Sequence, residues 1–366
     1  MNAIDLFAGA GGLTDGFKKA GARCALAIEF DPQAAETLKY NNPDIPLLVK
    51  DIREIKNNEA IESCKASRID VVTGGPPCQG FSLAGLRIPD DPKNQLFLEF
   101  VRMVEIFDPK IVVFENVAGL LSMQKGVVLA AILKAFSSLN YSTSWKIVNT
   151  ADYGIPQSRP RFIMVGIKGK TRYQFPESTH VDPKVLQTND LFGHTGKLPY
   201  VTVKEALSSL PDIYQGDGEE EMPNNPPVNE YQKVIYGHRN PGILYNHRAT
   251  KHSQLIVERY AAILPGNTNV GLPEHLQTKK INVFKLHPDQ PARTVTCNFR
   301  TDLLHHYIPR GTTVREAARL QSFDDDYRFF GNLTRKARYV TQDDQVGNAV
   351  PPLLAYTLAN SLKEYI

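Results

Sequence analysis

Ile4-Asp5-Leu6-Phe7-Ala8-Gly9-Ala10-Gly11-Gly12-Leu13 is the stretch on which the fold turns. The apolar run Ala3–Phe7 reads as a buried strand, the glycines behind it as a tight turn, and the segment after them as a helix. Strand, glycine turn and helix form the layout that binds a nucleotide-like ligand at the C-terminal edge of a parallel sheet. Glycines let the backbone approach the ligand closely, and the helix N-terminus favours a negative group. About 20 residues further on, Glu29 ends the second apolar run, Cys24–Phe30, where an acid can accept bonds from two ribose hydroxyls. Asp51 follows a third, weaker strand, where an acid can accept a bond from an adenine amino group. Thr14 stands where the dinucleotide fingerprint has its last glycine, which counts against NAD. A purely structural tight turn is the competing reading of the glycines, and Glu29 and Asp51 weigh against it.

Working outward, Ile69–Thr73, Ile111–Phe114, Trp145–Asn149 and Arg161–Val165 also read as buried strands. Between the strands lie helical patterns, Asp31–Tyr40 and Asn94–Phe107. The alternation predicts an α/β fold, a doubly wound and mostly parallel Rossmann-like sheet with helices on both faces. Around Thr171 the texture changes, and Pro, Gly, Asn and Asp dominate from Pro176 to Pro227 around an acidic run, Glu219–Glu221. We expect that run to lie in a linker. One helix is expected from His252 to Leu264, another starting at Thr313 with Glu316 completing a capping box, and a last one over Leu353–Tyr365. The expected division is one domain from 1–176 and 345–366, a second, smaller irregular domain over 177–291, and a hinge and return segment over 292–344.

Composition bounds the alternatives. The 366 residues make about two domains. With 42% hydrophobic and 22% charged residues, disorder of the whole chain is excluded. Lys and Arg total 42 against 39 acidic residues, so a nucleic-acid partner must be argued from local clustering. The longest purely apolar run, Val127–Leu133, is far short of the roughly 20 residues a membrane span needs, and the first residues do not read as a signal peptide. The expectation is therefore a cytoplasmic protein with no membrane partner. Cys24, Cys64, Cys78 and Cys297 form neither a disulfide framework nor a zinc spacing, so no metal is expected.

Three further clusters carry chemistry. The fourth strand runs into Gly74-Gly75-Pro76-Pro77-Cys78-Gln79-Gly80-Phe81-Ser82, a rigid loop that exposes a cysteine at the ligand's edge of the sheet. A thiolate there is a nucleophile, and a buried structural cysteine is the bland alternative. The fifth strand ends in Glu115-Asn116-Val117, which puts a candidate acid beside that loop; a helix cap or surface ion pair is the alternative. Gln157-Ser158-Arg159-Pro160-Arg161 sets two arginines at a strand start, able to clamp a phosphate or a base edge unless they are merely solvated.

Taken together, these blocks resemble the cytosine-5 DNA methyltransferases of the bacterial, restriction-modification type. DLFAGAGGL (Asp5–Leu13), Glu29, Asp51-Ile52, GGPPCQGFS (Gly74–Ser82), ENV (Glu115–Val117), QSRPR (Gln157–Arg161), REAARLQSF (Arg315–Phe323) and QVGNAVPP (Gln345–Pro352) stand in family order. The resemblance implies an S-adenosyl-L-methionine-dependent methyltransferase domain and, over 177–291, a variable target-recognition domain. It implies methyl transfer to carbon 5 of a flipped-out cytosine in a specific short sequence of double-stranded DNA. Cys78 would attack carbon 6, Glu115 would serve ring nitrogen 3, Arg159 would lie near the cytosine ring oxygen, and Arg161 near the cysteine loop or a phosphate. Phe7, Gly9, Gly11, Pro77 and Leu96 would line the cofactor pocket. Glu29 would take the ribose hydroxyls, Asp51 with Ile52 the adenine, and Asn348 the methionine end. Gln79 and Ser82 would contact the DNA backbone.

The stretch from Arg239 to Lys285 is locally basic: Arg239, Arg248, Lys251, Arg259, Lys279, Lys280 and Lys285 face only Glu258 and Glu274. With His238, His247, His252 and His275, it suits phosphate contacts, against the alternative of a solvated basic surface. In the REAARLQSF block the family usually has proline after the phenylalanine, and here Asp324 stands there. The expected state is a monomer, accompanied by a cognate restriction endonuclease. The alternatives are a tRNA cytosine-5 methyltransferase, an NAD-dependent oxidoreductase and a catalytically silent DNA-binding relative.

Overall fold

The computed structural model describes residues 1–77, 95–186, 196–280, 282–333 and 339–366. The chain forms two compact units, one of residues 1–149, 160–177 and 354–366, the other of residues 150–159 and 178–353.

The first unit is built on seven strands: β1 (Asn2–Leu6), β2 (Arg23–Glu29), β3 (Leu47–Val49), β4 (Val71–Gly74), β5 (Ile111–Val117), β6 (Tyr141–Asn149) and β7 (Pro160–Lys168). Their order is β3-β2-β1-β4-β5-β7-β6. β1 runs parallel to β2 and β4, β2 to β3, and β4 to β5, whereas β7 is antiparallel to both β5 and β6. The doubly wound, mostly parallel sheet expected from the alternation is thus present. The order reverses between β1 and β4, the switch point where such sheets open a crevice at the C-terminal strand ends. Both strands are almost wholly buried, which explains why they read as continuous apolar runs rather than alternating ones.

Helices α1 (Gly12–Lys19), α2 (Pro32–Asn41), α3 (Asn57–Ser63), α4 (Gln95–Phe107) and α5 (Val127–Ser138) cover the sheet. The α2 start shows why the chain turns helical there. Asp31 Oδ1 accepts from the Gln33 and Ala34 amides at 2.9 and 3.1 Å, and Pro32 fills the first turn, where a missing N–H costs nothing. Phe97 and Phe100 from α4, Phe114 from β5 and Phe136 from α5 meet edge to face, with ring centroids 5.6 to 6.5 Å apart. Ala118–Ser138 is long and apolar enough to compare with a membrane span. It breaks at Met123–Lys125, however, and the α-helix that follows seats Val128, Ile132 and Phe136 in the core.

The second unit corrects two expectations. Glu219–Glu221 is not linker: Gly218–Pro223 is a strand, paired antiparallel with Ile243–Arg248. Glu220 accepts a bond from Asn246 Nδ2 at 2.9 Å. The stretch over 178–291 and the return stretch also fold as one body rather than as domain and hinge, extending to Leu353. The cause is the helix Val314–Leu320, capped by Thr313 and Glu316 in the expected reciprocal box. Its buried Arg315 donates to the Tyr245 and Asp324 carbonyls at 2.7 and 2.6 Å. Arg319 donates to Ala206 O and Ser209 Oγ, both at 2.9 Å, and forks onto Asp325 at 2.7 Å with each nitrogen. The helix expected over His252–Leu264 spans Gln254–Ala262.

The aromatic cluster should dominate the first unit's stability. Phe136→Ala is expected to remove about 3–5 kcal/mol in denaturant unfolding. A loss below about 1 kcal/mol would mean that the neighbouring rings close the gap without cost.

Candidate active site

At the C-terminal end of β1 the chain enters the left-handed region three times, at Phe7 (φ 58°), Gly9 (φ 55°) and Gly11 (φ 90°). A Cβ built at Gly9 would meet nothing within 4 Å, so the turn presents bare backbone to open space. Glu29, 6% exposed, braces it: one carboxylate oxygen accepts from the Gly9 amide at 2.7 Å and the other from the Asp31 amide at 2.8 Å. Burial pushes the Glu29 carboxyl up from its usual range, opposed by those two amides. Each oxygen keeps acceptor capacity for a ligand hydroxyl.

Thr14, the departure from the glycine fingerprint, has a structural cause. Asp5 is buried at the end of β1, and its Oδ2 accepts from the Thr14 hydroxyl at 2.6 Å and the Thr14 amide at 3.1 Å. A glycine there would have no hydroxyl to give. Burial raises the Asp5 carboxyl to about 7, with the nearby Glu29 charge adding to the shift. Residues expected to end β2 differ slightly from those seen: Phe30 lies beyond the strand and is 65% exposed, an aromatic face beside Glu29. Sequence reasoning missed it because it extended the apolar run through Phe30. Asp51 follows β3 and caps a short turn, Ile52–Glu54, while Ile52 is buried in the core. The Arg53 guanidinium grips the Asp51 carboxylate, with Nε 3.0 Å from Oδ1, and holds its pKa below the usual range. An open glycine backbone, two carboxylates and an exposed ring fit the adenosine portion of a nucleoside-like cofactor.

Two strands along, the loop after β4 is packed against β5. A Cβ at Gly74 would lie 2.3 Å from the Leu6 carbonyl oxygen, and one at Gly75 would lie 2.7 Å from Glu115 Oε2. Both glycines are therefore required by close approach rather than by turn shape. Asn116 Nδ2 donates to Pro76 O at 3.0 Å and pins the loop just before its cysteine. Cys78, Gln79 and Ser82 lie outside the described residues. Pro77 is exposed and Leu96 half-buried at the core margin.

The arginine pair divides between the two units. Arg161, at the start of β7, sets its Nε 3.1 Å from Glu115 Oε1. Register explains this, since β7 pairs antiparallel with β5 and brings its first residues to the ENV end. Arg159 belongs to the other unit and is 1% exposed. It donates to the carbonyls of Val295 and Gly347 at 2.6 Å and Ala349 at 3.2 Å. Those contacts brace its own unit. Asn348 is exposed at the end of the helix Gln342–Asn348, and its Oδ1 accepts from Cys297 Sγ at 3.1 Å.

Of the basic residues in the second unit, Arg239, Arg248, Lys251, Lys279 and Lys280 are exposed. Arg239 is at the same time paired: Nη2 lies 3.1 Å from Asp326 and 3.6 Å from Asp324, and the guanidinium sits over Tyr327. Asp324 thus does more than end a helix, because it helps hold Arg239. His247 and Lys285 are buried and bonded within the unit, the first to Thr313 and Pro211, the second to Tyr260 O. Arg259 is spent on the Leu276 and Gln277 carbonyls.

A family model described as C-5 cytosine-specific DNA methylase matches residues 1–364. The chain belongs to this family. It is accordingly a DNA (cytosine-5-)-methyltransferase, of the covalent-cysteine and base-flipping type general to the family. It is 38% identical to the type II methyltransferase M.DdeI of Desulfomicrobium norvegicum, covering 100% of this chain and 89% of that one. It is 35% identical to the type II methyltransferase M1.HphI of Haemophilus parahaemolyticus, covering 99% and 86%. A crystal structure of a DNA modification methyltransferase encoded within an E. coli prophage superposes with a TM-score of 0.75 at 29% identity, covering 100% of this chain and 99% of that one. The methyltransferase's Dnmt2 neighbour from S. pombe, at 16% identity and a TM-score of 0.59, shares the fold.

Two outcomes are expected for the methyltransferase. Folded Asp5 keeps a proton that the unfolded chain releases between about pH 4 and 7, so it makes stability fall as pH rises through that window. Asp5→Asn should remove that fall, by up to about 1.4 kcal/mol per pH unit, in denaturant midpoints measured against pH. Identical pH profiles for the two proteins would contradict the assignment. Gly75→Ala should displace the Glu115 carboxylate and cut single-turnover methyl transfer on the order of 10²-fold with the fold intact by circular dichroism.

Proposed function

We propose that this enzyme takes the methyl group of S-adenosyl-L-methionine and delivers it to carbon 5 of one flipped-out cytosine within a specific short duplex sequence, through a covalent adduct of Cys78. What carries the reading is a pair of arrangements at one sheet edge. The Glu29-braced glycine turn stands at the end of β1, and the Gly75–Glu115–Arg161 cluster stands at the ends of β4 and β5.

Glu29 would accept the ribose hydroxyls, Asp51 and Ile52 would meet the adenine edge, and Phe30 would offer its ring to the adenine face. Phe7, Gly9, Gly11, Pro77 and Leu96 would complete the walls, with Asn348 assigned to the methionine end. When bound, the cofactor supplies an electrophilic methyl group on a sulfonium. The chain's own work is to make a poor carbon nucleophile competent. The Cys78 thiolate bonds to carbon 6, and Glu115 protonates or hydrogen-bonds ring nitrogen 3, which drives electron density onto carbon 5. Arg161 keeps the Glu115 carboxyl in place through its 3.1 Å contact and shares the charge that develops there. After methylation a base removes the carbon 5 proton, the carbon 6–sulfur bond breaks, and the thiolate and the aromatic ring are restored.

A base inside a stacked duplex cannot reach this pocket, so rotation out of the helix costs a few kcal/mol that protein contacts offset. Within the second unit, taken here as the target-recognition body, Arg248 and Lys251 are the exposed cations assigned to phosphates, with Gln79 and Ser82 on the cysteine loop. Arg239, exposed and paired with Asp326, is assigned with them. A cytoplasmic monomer working beside a cognate restriction endonuclease completes the reading, and no metal has a role in it.

The test uses the purified chain, tritiated S-adenosyl-L-methionine, unmethylated genomic DNA and transfer RNA in parallel, followed by base-resolution mapping. Label at carbon 5 of one short DNA motif is the expected result, and label confined to RNA would sink it. Cys78→Ser should lose turnover by at least about 10³-fold while keeping DNA affinity within about threefold. Retained turnover would remove Cys78 as the nucleophile.

A further inference from the structure

The acid assigned to the adenine amino group stands between an edge strand and a turn whose apolar anchors are Ile52 and Ile55. Asp51 follows β3, a three-residue edge strand, and caps a single turn, Ile52–Glu54. Its partner Arg53 lies two residues along the same turn and is half-exposed, so the pair moves with the turn and does not tie it to the body of the protein. Ion pairs this exposed contribute little.

A second guanidinium does make that tie. Arg102 lies on α4, fifty residues away in sequence, and its Nη2 donates to the Ile52 carbonyl at 3.0 Å. Nη1 donates to Asn57 Oδ1 at the start of α3 at 2.6 Å, and Nε donates to Glu99 Oε2 at 2.6 Å. One planar fork therefore joins three segments, with Glu99, one turn earlier on the same helix, fixing the plane of the fork. A lysine, with a single nitrogen, lacks this geometry. The helix carrying Arg102 is itself anchored, since Phe97, Phe100, Met103 and Val104 are all at most 3% exposed. It also carries Leu96, assigned to the same pocket.

We propose that Arg102 is a positioning residue for cofactor recognition: its guanidinium, held by Glu99 and Asn57, clamps the Ile52 carbonyl to α4 and so aims the Asp51 carboxylate at the adenine amino group. The proposal rests on the reading of Asp51 given above. Arg102 itself touches no part of the ligand. Its loss lets the turn rock on its edge strand, so the effect falls on adenine selectivity and on the KM for the cofactor more than on kcat.

The experiment measures inhibition of methyl transfer by S-adenosylhomocysteine and by its hypoxanthine analogue, in which an oxo group replaces the adenine amino group. The wild type should favour the adenine form. Arg102→Met should raise the cofactor KM about tenfold and shrink the adenine preference at least about threefold, with a smaller change in kcat. Asn57→Ala, at an exposed site, should shift the same two quantities in the same direction by less, and it serves if Arg102→Met does not fold. Asp51→Ala should abolish the preference. If Asp51→Ala abolishes it while Arg102→Met and Asn57→Ala keep it, even with a raised KM, Arg102 is merely structural and the inference is overturned. If Asp51→Ala keeps it, the reading of Asp51 fails, and the inference with it.

Discussion

Crowding between backbone at the ends of β1 and β4 is the constraint on which the site depends. These neighbours stand at the point where the sheet reverses its order, and both carry loops to the same crevice. A side chain at Gly74 would strike the Leu6 carbonyl oxygen, so only glycine lets the two strands stay paired to their last residues. One position further, Gly75 leaves room for the Glu115 carboxylate from β5. The distance from glycine turn to acid is thus set by strand spacing, which is among the most rigid rulers a protein has. The Asn116 bond to Pro76 adds a side-chain contact to the backbone at the end of β4.

The second unit solves a different problem. It has little sheet and mostly short helices, and buried polar groups join its apolar clusters. Its organisers are fully buried arginines: Arg159, Arg310, Arg315 and Arg319 are each at most 1% exposed. Burial pulls the Arg315 guanidinium down to about 10, yet it remains charged at neutral pH. Arg310 forks onto Glu316 at 2.9 and 2.6 Å; burial pushes that carboxyl up, but Arg310 together with His305 and His247 holds it well below the usual carboxylate range. A planar donor with five N–H groups can collect carbonyls from several irregular segments at once, as Arg159 and Arg315 do. Such pairs add less to stability than apolar packing would, but each tolerates only one arrangement of the backbone around it.

Where periodicity and glycine chemistry govern, the sequence was sufficient. The strands of the first unit, the Asp31–Tyr40 and Asn94–Phe107 helices, the Thr313–Glu316 box and the doubly wound order could all be read from local pattern. Glu29 and Glu115 were legible because strand ends are where acids do chemistry. What stayed hidden depended on contacts between distant segments. Arg159 and Arg161 look equivalent in QSRPR, and only the antiparallel register of β7 on β5 sends one to Glu115 while the other braces the second unit. Charge counting likewise placed His247 and Lys285 on a surface, although Thr313 and the Tyr260 carbonyl draw them inward. Glu219–Glu221 looked like linker because three acids in a row show no alternation, yet the segment pairs with the strand Ile243–Arg248, which leaves Glu220 and Met222 half-buried.

The position of β7 has a consequence for how the molecule is made. It lies between β5 and β6 and is the last of the seven strands in the chain. During synthesis on the ribosome, β6 emerges with no neighbour to pair with, and β5 presents a bare edge until β7 follows. An open, largely apolar edge is the kind of surface that captures another nascent chain. Completing the sheet means inserting a strand into its interior rather than adding one at its rim. The unit also waits for residues 354–366 before its chain is complete. The exposed interval ends only when β7 has been made, and slow translation between β5 and β7 would prolong it.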